Sequence, residues 1–271
     1  MGERAIGVFD SGLGGLTAVR QLRRMMPSEN IIYFGDTARV PYGNRSRETL
    51  LKYARQDIAF LRSFDLKVVV IACGTISTNC LQALQRDNDI PVVGVVEPAV
   101  ERAVAATRNR RVGMVATRAS VSSGAYERMF REKDPSVQVF SRACPLFVPL
   151  VEEGRFRSGD VVIETVVREY LAPLKEQRVD TLVLGCTHYP LLAGVVGAYM
   201  GPEVTLVDSG AEAARAVKEL LEQRGLCAAQ RRGTASFYTS DRAVDFQRLA
   251  SLFLGEELDY QVQQIDISRY R

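Results

Sequence analysis

The only histidine in the chain lies in the stretch Leu184-Gly185-Cys186-Thr187-His188-Tyr189-Pro190, two residues after a cysteine. A thiol and an imidazole at that spacing can supply a nucleophile, a metal ligand, a redox thiol or a proton carrier. The plain alternative is a small buried hydrophobe beside a hydrogen-bonded core histidine, because free cysteine is among the most buried residue types. A second cysteine changes the weighing. The segment LKVVVIACGT, ending at Thr75, lines up with VDTLVLGCTH so that Cys73 falls on Cys186. Upstream, IGVFDSG at Ile6-Gly12 lines up with VGMVATR at Val112-Arg118, in the same order and at similar spacing. The pattern points to two related halves, each presenting a cysteine where a buried strand ends. In open α/β sheets that strand end is where ligands bind.

Two thiols facing one cleft have three uses. Disulfide chemistry lacks a resolving partner beside either cysteine, and the five cysteines form no C-x-x-C pair. Zinc would draw on Cys73, Cys186 and His188, which lack tight chelating spacing, so no metal is expected. The third use is proton transfer on both faces of one carbon, with one cysteine as thiolate base and the other as thiol acid. An unperturbed thiol has a pKa of about 8.5, within reach of activation near neutral pH.

These residues need a frame to hold them. Short apolar runs at Ala5-Phe9, Ile31-Phe34, Lys67-Ala72, Pro91-Val95, Val112-Ala116, Val137-Arg142, Thr181-Leu184 and Thr205-Val207 read as buried strands. Between them, Leu16-Met26, Arg47-Ser63, Ser77-Arg86, Pro98-Arg108, Ser122-Lys133, Gly159-Gln177 and Ala211-Gln223 carry apolar residues at helical spacing. A final strand at Ala235-Tyr238 and a helix at Ala243-Phe253 continue the alternation. The expected architecture is α/β, with mainly parallel sheets in two pseudo-symmetric domains and the site in the cleft between them. A later echo, VDSG at Val207-Gly210, falls outside the register of the repeat.

Composition limits the partners. Of 271 residues 46% are hydrophobic, enough for a substantial core, and 35 basic residues nearly balance 32 acidic ones. Neither nucleic acid nor a membrane is expected on that balance, and doublets such as Arg23-Arg24 read as solvated surface. No basic-then-apolar leader and no apolar run near the roughly 18 residues of a membrane span is found, so a cytoplasmic location is expected.

The chain resembles the glutamate racemases, cofactor-independent enzymes that make D-glutamate for bacterial peptidoglycan. The resemblance covers nearly the whole chain and rests on FDSGLGGLTAV at Phe9-Val19, YFGDTARVPYGNRS at Tyr33-Ser46, ACGTIS at Ala72-Ser77, VVEPA at Val95-Ala99, VPLVEEG at Val148-Gly154 and LGCTHYPLL at Leu184-Leu192. It implies a first domain of residues 1–97 plus 208–271, a second of 98–207, and a homodimer. It also implies that Cys73 acts on D-glutamate and Cys186 on L-glutamate, with Asp10 assisting Cys73 while Glu152 and His188 assist Cys186. An Asp at the end of the first strand is held rigidly enough to accept or orient a proton, although N-capping is its commonplace use. His188 can exchange a proton near neutrality. For Glu152, beside Glu153, an exposed carboxylate pair is the ordinary alternative.

Glutamate needs anion-binding donors more than bulk positive charge. Ser11, Thr75, Thr117 and Thr187 offer hydroxyls and backbone N–H groups near strand ends. Pro41-Tyr42-Gly43 resembles the family's binding loop, with Gly43 allowing close backbone approach. Gly12, Gly14 and Gly15 match neither G-x-G-x-x-G nor a P-loop. One departure stands out: most family members carry Asn after the first cysteine, where this chain has Gly74. Losing that side chain removes a substrate donor, so affinity is expected to change more than reaction type. Ile76 and Ser120 depart in smaller ways. Within the wider superfamily the alternatives are a racemase of aspartate or another acidic amino acid, or a catalytically silent amino-acid-binding module.

Overall fold

A computed structural model describes residues 4–255 and 261–270. Among the described residues, ten strands fall into two sheets. The first holds β1 (Ala5–Asp10), β2 (Ile31–Gly35), β3 (Leu66–Ile71), β4 (Val92–Gly94), β9 (Ala235–Thr239) and β10 (Val262–Gln264) in the order β10-β9-β2-β1-β3-β4. The second holds β5 (Arg111–Ala116), β6 (Gln138–Ala143), β7 (Thr181–Leu184) and β8 (Thr205–Asp208) in the order β6-β5-β7-β8. Every described pairing is parallel. The expected α/β architecture with mainly parallel sheets is therefore what forms.

Strand order also bears on the repeat. The run β6-β5-β7-β8 repeats β2-β1-β3-β4 strand for strand, and the sequence alignments set β1 on β5 and β3 on β7. The late VDSG motif spans the end of β8, the counterpart of β4, which explains why it fell outside the register.

Strands β1, β3 and β7 are buried along their full length, as continuous apolar runs must be when helices cover both faces of a parallel sheet. The helices are α1 (Leu16–Met25), α2 (Arg47–Leu61), α3 (Gly74–Asn79), α4 (Leu81–Arg86), α5 (Val96–Ala106), α6 (Arg118–Ser122), α7 (Ala125–Lys133), α8 (Phe147–Glu152), α9 (Val161–Glu176), α10 (Ala193–Met200), α11 (Ser209–Gln223) and α12 (Ala243–Leu254). Several begin on side-chain caps: Ser46 accepts from the Thr49 N–H, Asp160 from Val162, and Asp208 from Gly210 and Ala211. Each such cap stabilises its helix by about 1 kcal/mol.

Helix α11 packs on α1 from the first sheet and on α5 beside the second. One apolar cluster runs through both halves, from Val8, Leu16 and Val70 to Leu171, Leu182 and Leu184. The halves are thus joined by core.

Two helices expected as single pieces are split. The segment expected at 77–86 starts earlier, at Gly74, and breaks at Cys80. Thr78 Oγ1 donates back to the Gly74 carbonyl and Asn79 Nδ2 to that of Thr75, so side chains compete there for helical carbonyls. The segment expected at 122–133 is interrupted by Gly124, whose φ of 61° lies in the left-handed region. Helices α8 and α10, strand β10 and all but the last residue of α6 lie outside the segments expected from the sequence.

Candidate active site

The C-terminal ends of β1, β3, β5, β6 and β7 converge on a cavity of about 420 Å³ between the two sheets. Cys73, Cys186, Asp10, His188 and Glu152 all line it, as do Ser11, Pro41, Tyr42, Gly43, Gly74, Thr75, Thr117 and Thr187. A larger cavity of about 670 Å³ elsewhere is framed by Arg20, Arg23, Arg24, Arg231 and Arg232. It is lined by neither thiol nor imidazole.

Asp10 is the last residue of β1, and the chain turns sharply after it. Its Oδ2 accepts from the N–H groups of Gly12 at 3.2 Å and Gly15 at 3.0 Å. Burial pushes its carboxyl above the ordinary range, against the attraction of His188 and those N–H bonds. The other oxygen, Oδ1, is buried with no hydrogen-bond partner among the described residues. An unpartnered buried acceptor calls for a proton or a donor. One oxygen of the carboxyl is thus held by the turn, and the other is left without a partner.

Cys73 lies two residues past the end of β3 and donates to Ser11 Oγ at 3.6 Å. Burial, then the nearby charge of Asp10, pushes its thiol up to about 12. At neutral pH this sulfur carries a proton.

The other side of the cavity is built differently. His188 Nδ1 lies 4.0 Å from Cys186 Sγ, and Nε2 lies 3.0 Å from Glu152 Oε1. Burial opposes a charge on the ring, but the hydrogen bonds with Cys186 and Glu152 outweigh it and lift His188 to about 10. Phe253 packs nearly perpendicular to the ring, with centroids 5.2 Å apart. Glu152 ends α8, and its side chain stays 42% exposed while His188 is buried. The arrangement is a carboxylate–imidazolium–sulfur chain, in which charge forming on Cys186 Sγ faces a cation.

Close contacts between the halves hold the two sides together. Thr75 and Thr117 pair through their hydroxyls at 3.1 Å, and Thr17 Oγ1 donates to the Thr187 carbonyl at 2.9 Å. The glycine-rich turn after β1 has a steric purpose here. A Cβ on Gly14 would lie 2.2 Å from Thr187 Oγ1 and 2.4 Å from His188 Nδ1. Only a glycine lets the turn approach the imidazole so closely.

Tyr42 lines the cavity, but its hydroxyl turns away from it and bonds to Asp36 and Asp57. The lining also includes Asn44, Arg118, Cys144, Val148, Pro149 and Tyr189, which sequence reasoning did not single out. Arg118 and Tyr189 follow Thr117 and His188 directly, and Cys144 follows the end of β6, so the rule that ligands bind at strand ends would have reached them. No cluster of His, Cys, Asp and Glu placed to hold a metal occurs among the described residues, and none of the described helices is long and apolar enough to cross a membrane.

The family model described as Asp/Glu/Hydantoin racemase matches residues 17–217. A glutamate racemase of Geobacter metallireducens is 48% identical over 262 residues, covering 96% of both chains. One from Thermoanaerobacter pseudethanolicus is 42% identical over 270 residues and covers all of both. Among solved structures, the glutamate racemase of Francisella tularensis in complex with D-glutamate superposes with a TM-score of 0.91 at 36% identity, over 99% of each chain. An aspartate racemase of Picrophilus torridus, at 17% identity and a TM-score of 0.57 over 83% of this chain and 95% of its own, shares the fold alone.

Proposed function

The chain belongs to the Asp/Glu/hydantoin racemase family, and from that premise we propose that it interconverts L- and D-glutamate without a cofactor, by proton transfer between two cysteines. One observation carries the reading: a single cavity is lined by two thiols from related strand ends of the two halves, Cys73 near the Asp10 carboxyl and Cys186 beside the His188 imidazole. Inverting a stereocentre requires a base on one face of a planar intermediate and an acid on the other.

With L-glutamate, Cys186 removes the α-proton, and until the proton arrives the negative charge on its sulfur faces the His188 imidazolium, which Glu152 holds in place. Cys73, a thiol at neutral pH, delivers its proton to the opposite face. The roles reverse for D-glutamate, where Asp10 takes the Cys73 proton on its unpartnered oxygen. The hydroxyls of Ser11, Thr75, Thr117 and Thr187, with the backbone of Pro41-Tyr42-Gly43, hold the carboxylates and stabilise charge that develops as the α-proton leaves. The product D-glutamate supplies peptidoglycan synthesis in the cytoplasm. Sheet membership supports the division into 1–97 plus 208–271 and 98–207.

Circular dichroism of purified protein with each glutamate enantiomer, without additives, tests this reading. Decay of both signals to zero is expected. Inversion of aspartate in preference to glutamate, or activity that appears only with added metal or pyridoxal phosphate, would overturn it.

A further inference from the structure

Behind the wall formed by Pro41-Tyr42-Gly43 lies a buried polar group that proton transfer does not use. Asp36 and Asp57 are both fully buried, and Tyr42 is nearly so. Tyr42 Oη bonds to Asp36 Oδ2, and to Asp57 Oδ2 at 3.2 Å. Arg39 grips both carboxyls, through Nε to Asp36 Oδ2 at 2.5 Å and Nη2 to Asp57 Oδ1 at 2.7 Å. Its Nη1 donates to Gln56, whose amide reaches the carbonyl of Tyr270. Ser240 donates to Asp36 Oδ1 at 2.8 Å. The cluster thus ties the wall to helix α2 and to two C-terminal segments.

Proton counting assigns the bond directions. A tyrosine hydroxyl has one proton, so Tyr42 cannot donate to both carboxyls. Asp36 accepts from Arg39 and Ser240, and it takes the Tyr42 proton. Two buried carboxylates beside one guanidinium cannot both stay charged cheaply. The groups facing Asp57 are Asp36, Arg39, Tyr42 and, farther off, Asp10; burial first, then Asp36, pushes Asp57 well above the ordinary range despite Arg39. Asp57 therefore keeps a proton and gives it to the Tyr42 oxygen.

We infer that Asp36 and Asp57 are positioning residues for substrate: through a one-way chain from Asp57 to Tyr42 to Asp36 they fix the Pro41-Tyr42-Gly43 backbone as a rigid wall of the cavity. The inference rests on the racemase reading for its substrate, glutamate. The chain's direction makes the two carboxyls unequal. An asparagine at 57 can donate to Tyr42 and accept from Arg39, mimicking the neutral acid. At 36, an amide supplies a donor where three donors already point.

The test measures KM and kcat for both glutamate enantiomers, together with hydrogen exchange of the backbone amides of residues 42–44, in Tyr42→Phe, Asp36→Asn, Asp57→Ala and Asp57→Asn. Tyr42→Phe, Asp36→Asn and Asp57→Ala should each raise KM about tenfold for both enantiomers with a smaller change in kcat, and should speed exchange in the wall. Asp57→Asn should recover most of what Asp57→Ala loses. Equal damage from Asp57→Asn and Asp57→Ala, or unchanged KM and exchange in Tyr42→Phe, overturns the inference. If Asp36→Asn does not fold, Tyr42→Phe, which removes a single oxygen, decides. A wild type that leaves glutamate unchanged sinks the racemase reading instead, and the exchange measurement still judges the wall.

Discussion

A Cβ built on Gly74 would lie 2.5 Å from the carbonyl oxygen of Gly185. These residues adjoin the two cysteines, Gly74 following Cys73 and Gly185 preceding Cys186, so the halves meet by backbone contact beside both thiols. The missing side chain at 74 is therefore more than a lost substrate donor, since any side chain there meets the opposite half at a distance that real Cβ atoms do not show. Gly74→Asn should destabilise the protein by about 1–3 kcal/mol, the usual cost of overpacking, and raise KM for both enantiomers. Thermal unfolding beside steady-state kinetics checks it. An unchanged melting temperature would mean that the halves yield at this contact.

Alanine at Cys73 or at Cys186 should abolish inversion in both directions, because each direction needs one removal and one delivery. The loss should reach at least the 10²–10⁴-fold typical of a positioned acid–base group. Alanine at Cys80 or Cys227 should leave turnover largely intact. In deuterated water the inverted product should carry deuterium at the α-carbon. Product retaining the substrate's own hydrogen would point to one shuttling base.

Glu152→Gln keeps a hydrogen-bonding partner for His188 but removes the charge. It should lower kcat/KM about tenfold, and by the same factor for both enantiomers, because mirror-image species are equally stable and the ratio of the two constants is fixed. His188→Asn should cost more, since it also removes the ring that faces Cys186. Progress curves from each enantiomer test both statements.

Stability should decline on the alkaline side. His188 is raised from 6.5 to about 10, so the folded state holds a proton that the unfolded chain releases above about 6.5. Its contribution is fully present below that pH and is lost as pH rises through about 10. Cys73, raised from 9.0 to about 12, acts with the same sign in a higher window, because the folded state resists the ionisation that unfolding allows. Denaturant midpoints should fall between pH 7 and 10 in the wild type and fall less steeply in Glu152→Gln. A midpoint flat across that range would show that the histidine is not held as a cation.

Much of this was written locally. The α/β class, the two related halves and the two cysteines at strand ends follow from apolar runs of fixed length and from short motifs, because a strand's burial and the turn after it depend on near neighbours in the chain. The helix breaks at Cys80 and Gly124 belong to the same local physics but hinge on side-chain competition and one left-handed residue, which periodicity does not register.

What tertiary structure alone decided are relations between residues far apart in sequence. Nothing near position 74 announces Gly185, and nothing in PYG says that the Tyr42 hydroxyl turns toward Asp36 and Asp57 rather than substrate. The unlike settings of the thiols have the same origin: Cys73 is desolvated beside a carboxyl, whereas Cys186 faces a histidine made cationic partly by Glu152 on another helix. Repeated sequence supplied two equal cysteines. Burial and Coulomb interaction, which depend on everything packed nearby, made them different.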